Sequence, residues 1–388
     1  MKPFRMLKMN SNAVLAALTL FGLSAYATTG GGTGQTPHSA WTIASRTLPA
    51  PAAASDVLRG AIANTMQPDV AAHIRQTTFT TNEEWVESIR AIDASNALEV
   101  EAQIEHLKVT IKEEQIAGVT IRTVTPVDID PANENRLFVH THGGAYVIGA
   151  GRAGLREAIL IAHLAKIPVL SIDYRMPPEH PFPAAVEDVV AVWRSLLNVR
   201  PAKSMALGGT SAGGGLALAS THRFIELGLE TPGVLWAGTP WADLTKTGDS
   251  QFINEGIDRN LVTYDGMLEG AAKLYADGRN LKTPLISPVY GDFTDFPPTY
   301  LVTGTRDLFL SDTVRVHRKM RVARVVAELN VYEGVSHGDY MFTDSPELQQ
   351  TFGELGAFLL RHLKRPVRCH DRTGRSLSLR QRRGSHSE

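Results

Sequence analysis

Three groups of residues in this chain have the types and the order that nucleophilic catalysis needs. Gly209-Thr210-Ser211-Ala212-Gly213 fits the spacing G-x-S-x-G, a sharp strand-to-helix turn that exposes a serine. The apolar run Met205–Leu207 before it reads as a buried strand, and Leu216-Ala217-Leu218-Ala219 after it opens a helical pattern. Glycines on both sides suit so tight a turn, because they tolerate unusual φ/ψ and let neighbouring backbone come close. Such a serine stands at a helix N-terminus, where free N–H groups and the helix dipole favour incoming negative charge.

A serine hydroxyl needs a base in hydrogen-bond reach and an acid to orient that base. In the order serine, acid, histidine, the two partners should follow the later strands. Tyr300–Gly304 reads as a strand that leads into a loop with Asp307, and Leu329–Tyr332 as a strand that leads into a loop with His337. Asp312 is the alternative acid. Activity that depends on neutral His337 should rise through the ordinary histidine pKa of about 6.5. The oxyanion of a tetrahedral intermediate needs pre-aimed donors. Thr141-His142-Gly143-Gly144-Ala145 directly follows the strand Leu137–Thr141. Gly143 and Gly144 are assigned as donors, joined by the N–H of Ala212, with His142 as an anchor of that loop. Ser211, Asp307 and His337 with these donors describe acyl transfer to water.

His140-Thr141-His142 also spells an H-x-H pair, and alternate residues of a strand share a face. A hydrolytic metal site needs further ligands at neighbouring strand ends. The glycine loop accounts for His142 more simply, so neither a metal nor a cofactor is expected.

Strands that alternate with helices must position these groups. Val119–Thr125, Leu137–Thr141, Pro168–Asp173, the Met205 strand, Val234–Ala237, Thr299–Thr303 and Glu328–Tyr332 read as strands. Helices are expected over Leu155–Ala165, Ala185–Leu197 and Phe352–Leu363. The alternation implies an α/β fold with a mostly parallel central sheet flanked by helices. Ligands in such sheets collect beyond the carboxyl ends of the strands, where Ser211, Asp307 and His337 all fall. From Ala40 to Gln115 no strand alternation is evident. Ser55-Asp56 and Thr81-Asn82-Glu83-Glu84 read as helix starts, the latter at capping-box spacing.

The 388 residues, 43% apolar and 20% charged, suit one large domain with an appendage. The net charge is −1, but the stretch from Lys364 to Glu388 carries eight Lys/Arg against two acids. The remaining body is acidic, which argues against a nucleic-acid partner. The single cysteine, Cys369, rules out an intrachain disulfide and a cysteine-ligated metal cluster. Lys2, Arg5 and Lys8, the apolar Ala13–Leu23 and Ala25-Tyr26-Ala27 read as a secretory signal over 1–27. The expected organisation is then a linker over 28–39, a helical cap or lid over 40–115, a catalytic domain over 116–365 and a disordered basic tail over 366–388. Export to a periplasm or the medium follows, with no stable membrane insertion after signal removal.

Three stretches together resemble the hormone-sensitive-lipase-like branch of the α/β-hydrolase esterases. They are His142-Gly143-Gly144-Ala145, then Asp173-Tyr174-Arg175-Met176-Pro177-Pro178-Glu179-His180-Pro181-Phe182-Pro183-Ala184-Ala185, then Gly209-Thr210-Ser211-Ala212-Gly213-Gly214. The resemblance covers residues 119–363 and implies an α/β-hydrolase fold with an N-terminal helical cap. It further implies a serine hydrolase of small or compact carboxylic esters or lactones, xenobiotic esters among them. The third glycine of that family's H-G-G-G is Ala145 here, and Thr210 before the serine matches its less common G-T-S-A-G branch. The family's D-P-L after the acid is Asp307-Leu308-Phe309. Gly238-Thr239-Pro240-Trp241-Ala242-Asp243-Leu244 resembles members acting on lactones and small esters. An amidase or peptidase on the same residues, and a non-catalytic small-molecule binder on the same fold, are the alternatives. The expected partner is a small ester or lactone, and a homodimer is left open.

Overall fold

The computed structural model describes Ser45 and residues 47–365. The expected signal over 1–27, the linker over 28–39 and the tail over 366–388 lie outside the described residues.

Eight strands form one sheet: β1 (Thr110–Ile116), β2 (Val119–Thr125), β3 (Leu137–Thr141), β4 (Val169–Ile172), β5 (Met205–Thr210), β6 (Val234–Gly238), β7 (Thr299–Gly304) and β8 (Ala327–Tyr332). Their order is β1-β2-β4-β3-β5-β6-β7-β8. The β1–β2 and β2–β4 pairs are antiparallel, and all the others are parallel. Among the described residues there are eleven α-helices, besides three short 3-10 turns: α1 (Asp56–Ala63), α2 (Val70–Thr77), α3 (Asn82–Leu107), α4 (Arg156–Ala165), α5 (Ala184–Leu197), α6 (Ala212–Glu226), α7 (Ser250–Ile253), α8 (Met267–Ala276), α9 (Leu310–Val322), α10 (Asp339–Phe342) and α11 (Pro346–His362).

Strand periodicity divides the interior into two cores. Leu137 and Val139, Met205 and Leu207, and Leu235 and Ala237 enter one core with residues of α5, α6, α8 and α9. The intervening Phe138, Ala206, Val234 and Trp236 enter the other with residues of α4 and α11. Successive side chains of a strand point to opposite faces, so both faces of the sheet are covered. Among the described residues no helix is long and apolar enough to cross a membrane.

The reading of 40–115 as wholly helical fails at its end. Thr110-Ile111-Lys112-Glu113-Glu114-Gln115-Ile116 is strand β1, and most of it is exposed. An edge strand can carry charge on both faces, so its sequence lacks the alternation that marks a half-buried one. Ala117 and Gly118, at φ +52° and +82°, close the hairpin to β2 with Ile116 opposite Val119. Positive φ at both central residues is the turn whose twist matches a two-residue hairpin. The serine strand β5 also runs past Leu207 to Thr210. A Cβ on Gly208 would lie 2.4 Å from the Trp236 carbonyl oxygen, so the close approach to β6 requires that residue to be glycine. Ser345 caps α11 and Pro346 takes its first turn, which starts the helix six residues ahead of the expected Phe352.

Two of the three N-terminal helices, α1 and α3, are fastened to the sheet domain by side-chain hydrogen bonds and ion pairs. Ser55 caps α1, and its N–H and hydroxyl both donate to Glu347 of α11, each at 2.8 Å. The expected capping box starts α3: Glu84 N–H donates to Thr81 Oγ1 at 3.2 Å and Thr81 N–H to Glu84 Oε2 at 3.1 Å. Further along α3, Asp93 accepts from the N–H groups of Gly149 and Ala150 at 2.7 and 3.2 Å. Glu99 pairs with Arg156 and Glu101 with Arg152. Trp85 is buried against Gly270 of α8. A cleft of about 410 Å³ runs between α3 and the Tyr174–Glu179 turn, lined by Val86, Ile89, Arg90, Val147 and Met176.

Candidate active site

Ser211 stands between the last residue of β5 and the first of α6, at φ +63°, ψ −127°. A non-glycine residue held there costs about 1–3 kcal/mol and persists only where its surroundings fix it. They do so here: Ser211 N–H donates to the Gly238 carbonyl at 2.8 Å, and its own carbonyl accepts from Gly215 N at 3.0 Å and Trp241 N at 2.9 Å. The flanking glycines have a steric reason. A Cβ on Gly209 or on Gly213 would lie 1.8 or 2.0 Å from the Thr141 carbonyl oxygen at the end of β3. The serine turn is therefore pressed against the strand that leads into the glycine loop.

That loop begins beside the serine. An ideal Cβ on Gly143 would meet Ser211 Cβ at 3.4 Å and the Thr210 carbonyl oxygen at 2.9 Å. Gly144 has φ +109°, and a Cβ there would strike the Ile148 carbonyl at 2.1 Å. Ala145 adopts φ +54°, left-handed backbone that costs an L-residue roughly 1–2 kcal/mol. Among the described residues, nothing accepts a hydrogen bond from the N–H of Gly143, Gly144 or Ala212. His142 stacks on Tyr174 with ring centroids 4.1 Å apart, and Tyr174 hydroxyl donates to the His142 carbonyl at 2.7 Å. Its Nδ1 donates to the Gly143 carbonyl at 2.8 Å. Burial pushes its pKa down to about 4, so the ring is neutral and fastens the loop. Tyr174 is thus the link between the proline-rich run and the glycine loop.

At the far strands, His337 is buried and its Nδ1 lies 3.1 Å from Asp307 Oδ1. The Asp307 carboxylate is fully enclosed. Phe309 N–H donates to Oδ1 at 2.8 Å, Thr303 hydroxyl to Oδ2 at 2.8 Å, and Thr239 hydroxyl also to Oδ2. Burial resists a charge on His337, but Asp307, with Asp258 and Asp339 beyond it, holds the imidazole above its ordinary pKa. The expected titration near 6.5 is therefore displaced upward. Asp312 lies elsewhere: its Oδ2 accepts from Ala242 N at 3.1 Å and Asp243 N at 2.9 Å. It makes no contact with His337.

The end of β6 joins the two halves. Gly238 receives the Ser211 N–H, while the next residue, Thr239, places Oγ1 3.1 Å from His337 Nδ1. Trp241 donates to the Ser211 carbonyl and stacks on Phe309, whose ring meets His337 edge-on with centroids 4.8 Å apart. No hydrogen bond between Ser211 Oγ and His337 is present among the described residues. Such contacts commonly tighten only when substrate binds.

His140 and His142 part company. His140 Nδ1 meets Ser171 Oγ at 2.9 Å and Nε2 meets Glu157 Oε2 at 3.1 Å. The same buried carboxylate accepts from Thr210 N at 2.9 Å, Thr210 Oγ1 at 2.6 Å and Trp236 Nε1 at 2.7 Å. His140 therefore belongs to a polar cluster behind the serine turn. Among the described residues no three His, Cys, Asp or Glu are grouped so as to hold a metal ion.

Thr239, Thr303, Glu157 and Asp258 escaped the sequence reading. Thr239 had a signal, since it stands among Gly238 and Pro240 immediately after a strand. Glu157 and Asp258 had none, because one lies inside an apolar helix and the other in a polar turn.

Residues 138–341 match a family described as having the alpha/beta hydrolase fold. An acetyl-hydrolase of Streptomyces hygroscopicus is 35% identical over 196 residues, spanning 50% of this chain and 65% of that protein. The crystal structure of an esterase designated E25 superposes with a TM-score of 0.82 at 52% identity, covering 84% of this chain and 99% of its own. That of an esterase from the bacterial hormone-sensitive lipase family superposes with a TM-score of 0.68 at 28% identity, covering 80% and 100%.

Proposed function

Because the chain belongs to the α/β-hydrolase fold family, in its hormone-sensitive-lipase-like esterase branch, it is a carboxylic ester hydrolase, and we propose that it works through an acyl-enzyme on Ser211. His337 takes the serine proton as Ser211 Oγ attacks the ester carbonyl, then returns it to the departing alcohol. Asp307 holds the imidazole with Nδ1 protonated and stabilises the imidazolium. The N–H groups of Gly143, Gly144 and Ala212 receive the oxyanion. Water then attacks the acyl-enzyme with His337 again as base, releasing the acid and freeing Ser211.

The observation that carries this reading is the enclosed Asp307–His337 hydrogen bond at 3.1 Å, linked through Thr239 and Gly238 to a serine held in a strained turn. The three free N–H groups beside that serine support it further. A donor of this kind contributes about 2.7–4 kcal/mol to the transition state.

The substrate class that suits the site is small or compact esters and lactones. α3 lines one wall of the cleft whose other wall holds Tyr174 and Val147, and we read it as a lid that limits volume and water. A hydrolysis panel of p-nitrophenyl esters of rising chain length, small lactones and bulky aromatic methyl esters tests this. Preference for short acyl groups or lactones is expected, and a preference for long acyl chains contradicts it. Residues 1–27 support export to a periplasm or the medium, with a mature protein beginning near Thr28. N-terminal sequencing of the exported form checks that point.

A further inference from the structure

A second carboxylate stands behind the acid and the histidine. Asp258 is fully buried in the turn between α7 and α8. Its Oδ1 accepts the N–H groups of Asn260 at 2.9 Å and Leu261 at 3.1 Å, which closes the turn on itself. Its Oδ2 accepts the N–H of Leu308 at 2.9 Å and that of His337 at 3.3 Å. One oxygen atom thus ties the residue after Asp307 to the backbone of His337. Two asparagines of the same turn extend the grip. Asn254 Nδ2 donates to the Asp307 carbonyl at 2.8 Å, and Asn260 Nδ2 donates to the His337 carbonyl at 2.6 Å.

The charge on Asp258 has no ordinary partner. Among the described residues no Lys or Arg forms an ion pair with it. Its neighbour Arg259 turns instead to Asp339, with 2.9 Å between Nη2 and Oδ1. Four backbone N–H groups satisfy the carboxylate's lone pairs but carry no full charge to offset it. A buried carboxylate without an opposite charge beside it is expensive.

We propose that Asp258 is a positioning residue for the catalytic pair, clamping the Asp307 and His337 loops to one oxygen and using its unpaired charge to stabilise the imidazolium that forms on His337. The inference rests on the serine reading above, because it acts through His337. The charged groups facing the imidazole are Asp307 from the loop after β7, Asp258 from the turn, and Asp339 at the start of α10, this last already paired with Arg259. Burial, with Asp307 beside it, raises the Asp258 carboxyl to about 6, and His337 opposes that rise. Above that value Asp258 carries its charge, which the imidazole feels in return. In the transition state His337 is cationic, so a fixed negative charge lowers that state relative to the neutral ground state. The turn also touches the cap, since a Cβ on Gly256 would meet Val70 of α2 at 3.0 Å.

Asp258→Asn keeps the shape but must present an NH2 group to one pair of N–H donors, and it removes the charge. The experiment compares it with the wild type across pH on a p-nitrophenyl ester, with thermal unfolding to verify folding. The expected result is a kcat lowered roughly 10- to 100-fold at little-changed KM, and an acid limb of kcat/KM displaced to lower pH because His337 loses a charge that favours its protonation. A purely structural role would lower the rate without moving the limb, and an unmoved limb overturns the proposal. If Asp258→Asn does not fold, a second variant at the same position decides. Asp258→Ser, with a smaller neutral side chain, is again expected to lower kcat with the acid limb displaced to lower pH, and an unmoved limb overturns the proposal. Asn260→Ala reports only on the grip of the turn on the His337 carbonyl. Ser211→Ala assayed alongside separates the two claims. Activity surviving in Ser211→Ala refutes the serine reading and this inference with it. An inactive Ser211→Ala beside an Asp258→Asn indistinguishable from wild type refutes this inference alone.

Discussion

His337 Nδ1 lies 3.1 Å from Asp307 Oδ1, and the Asp307 carboxylate takes three further hydrogen bonds from Thr239, Thr303 and Phe309. Every lone pair of that carboxylate is directed, so the acid has one orientation and presents one oxygen to the imidazole. The ring is fixed in turn, with Nδ1 toward the acid. Three loops that follow adjacent strands β6, β7 and β8 converge on this contact.

The first prediction separates the two candidate acids. Asp307→Asn should lower kcat by roughly 10³- to 10⁴-fold, because an amide at that place favours the wrong imidazole tautomer. Burial, with Asp243 beside it, pushes the Asp312 carboxyl well up. Asp312 bonds the Ala242 and Asp243 N–H groups rather than His337, so Asp312→Asn should cost less than about tenfold in rate. Steady-state kinetics of both variants check this, and a larger loss for Asp312→Asn would reverse the assignment.

The second concerns pH. His337 must be unprotonated to act as base, and neighbouring carboxylates raise its pKa against the opposing effect of burial. The acid limb of kcat/KM should therefore have its midpoint above about 6.5, falling tenfold per unit below it. A pH–rate profile with its midpoint under 6 would show that these carboxylates do not govern the imidazole.

Much of this arrangement is written locally in the chain. β6 is apolar from Val234 to Ala237 and β2 and β3 are apolar or alternating over part of their lengths, and G-x-S-x-G, the glycine pair and the two late loops are each legible as short runs. What the sequence hides is what only packing decides. Gly208 and Gly209 read as the start of a loop, yet both lie in β5, because Trp236 and Thr141 leave no room for a Cβ there. β1 is hidden by its exposed charges. Thr239 and Asp258 act on His337 from 98 and 79 positions away in the chain, a distance no local pattern spans.

The third prediction tests the fastening of the cap. Asp93 is the carboxylate through which α3 holds Gly149 and Ala150, at the end of the loop that starts at Gly143. Asp93→Ala leaves two N–H groups without that acceptor and should lower stability by about 1–3 kcal/mol. It should also raise KM for compact esters and change the ranking of substrates, as read by thermal unfolding and the ester panel. An unchanged ranking and KM would mean that α3 does not shape the pocket.

The most direct test of the account is Ser211→Ala, assayed on a p-nitrophenyl ester with folding checked by thermal unfolding. The serine is the only group to which the acyl chain is assigned, and loss of such a nucleophile can lower kcat by on the order of 10⁶-fold. The account predicts a folded protein with turnover at or near the limit of detection and no adduct with a small organophosphate that labels the wild type at one site. A folded Ser211→Ala that keeps more than a few per cent of wild-type activity would contradict it.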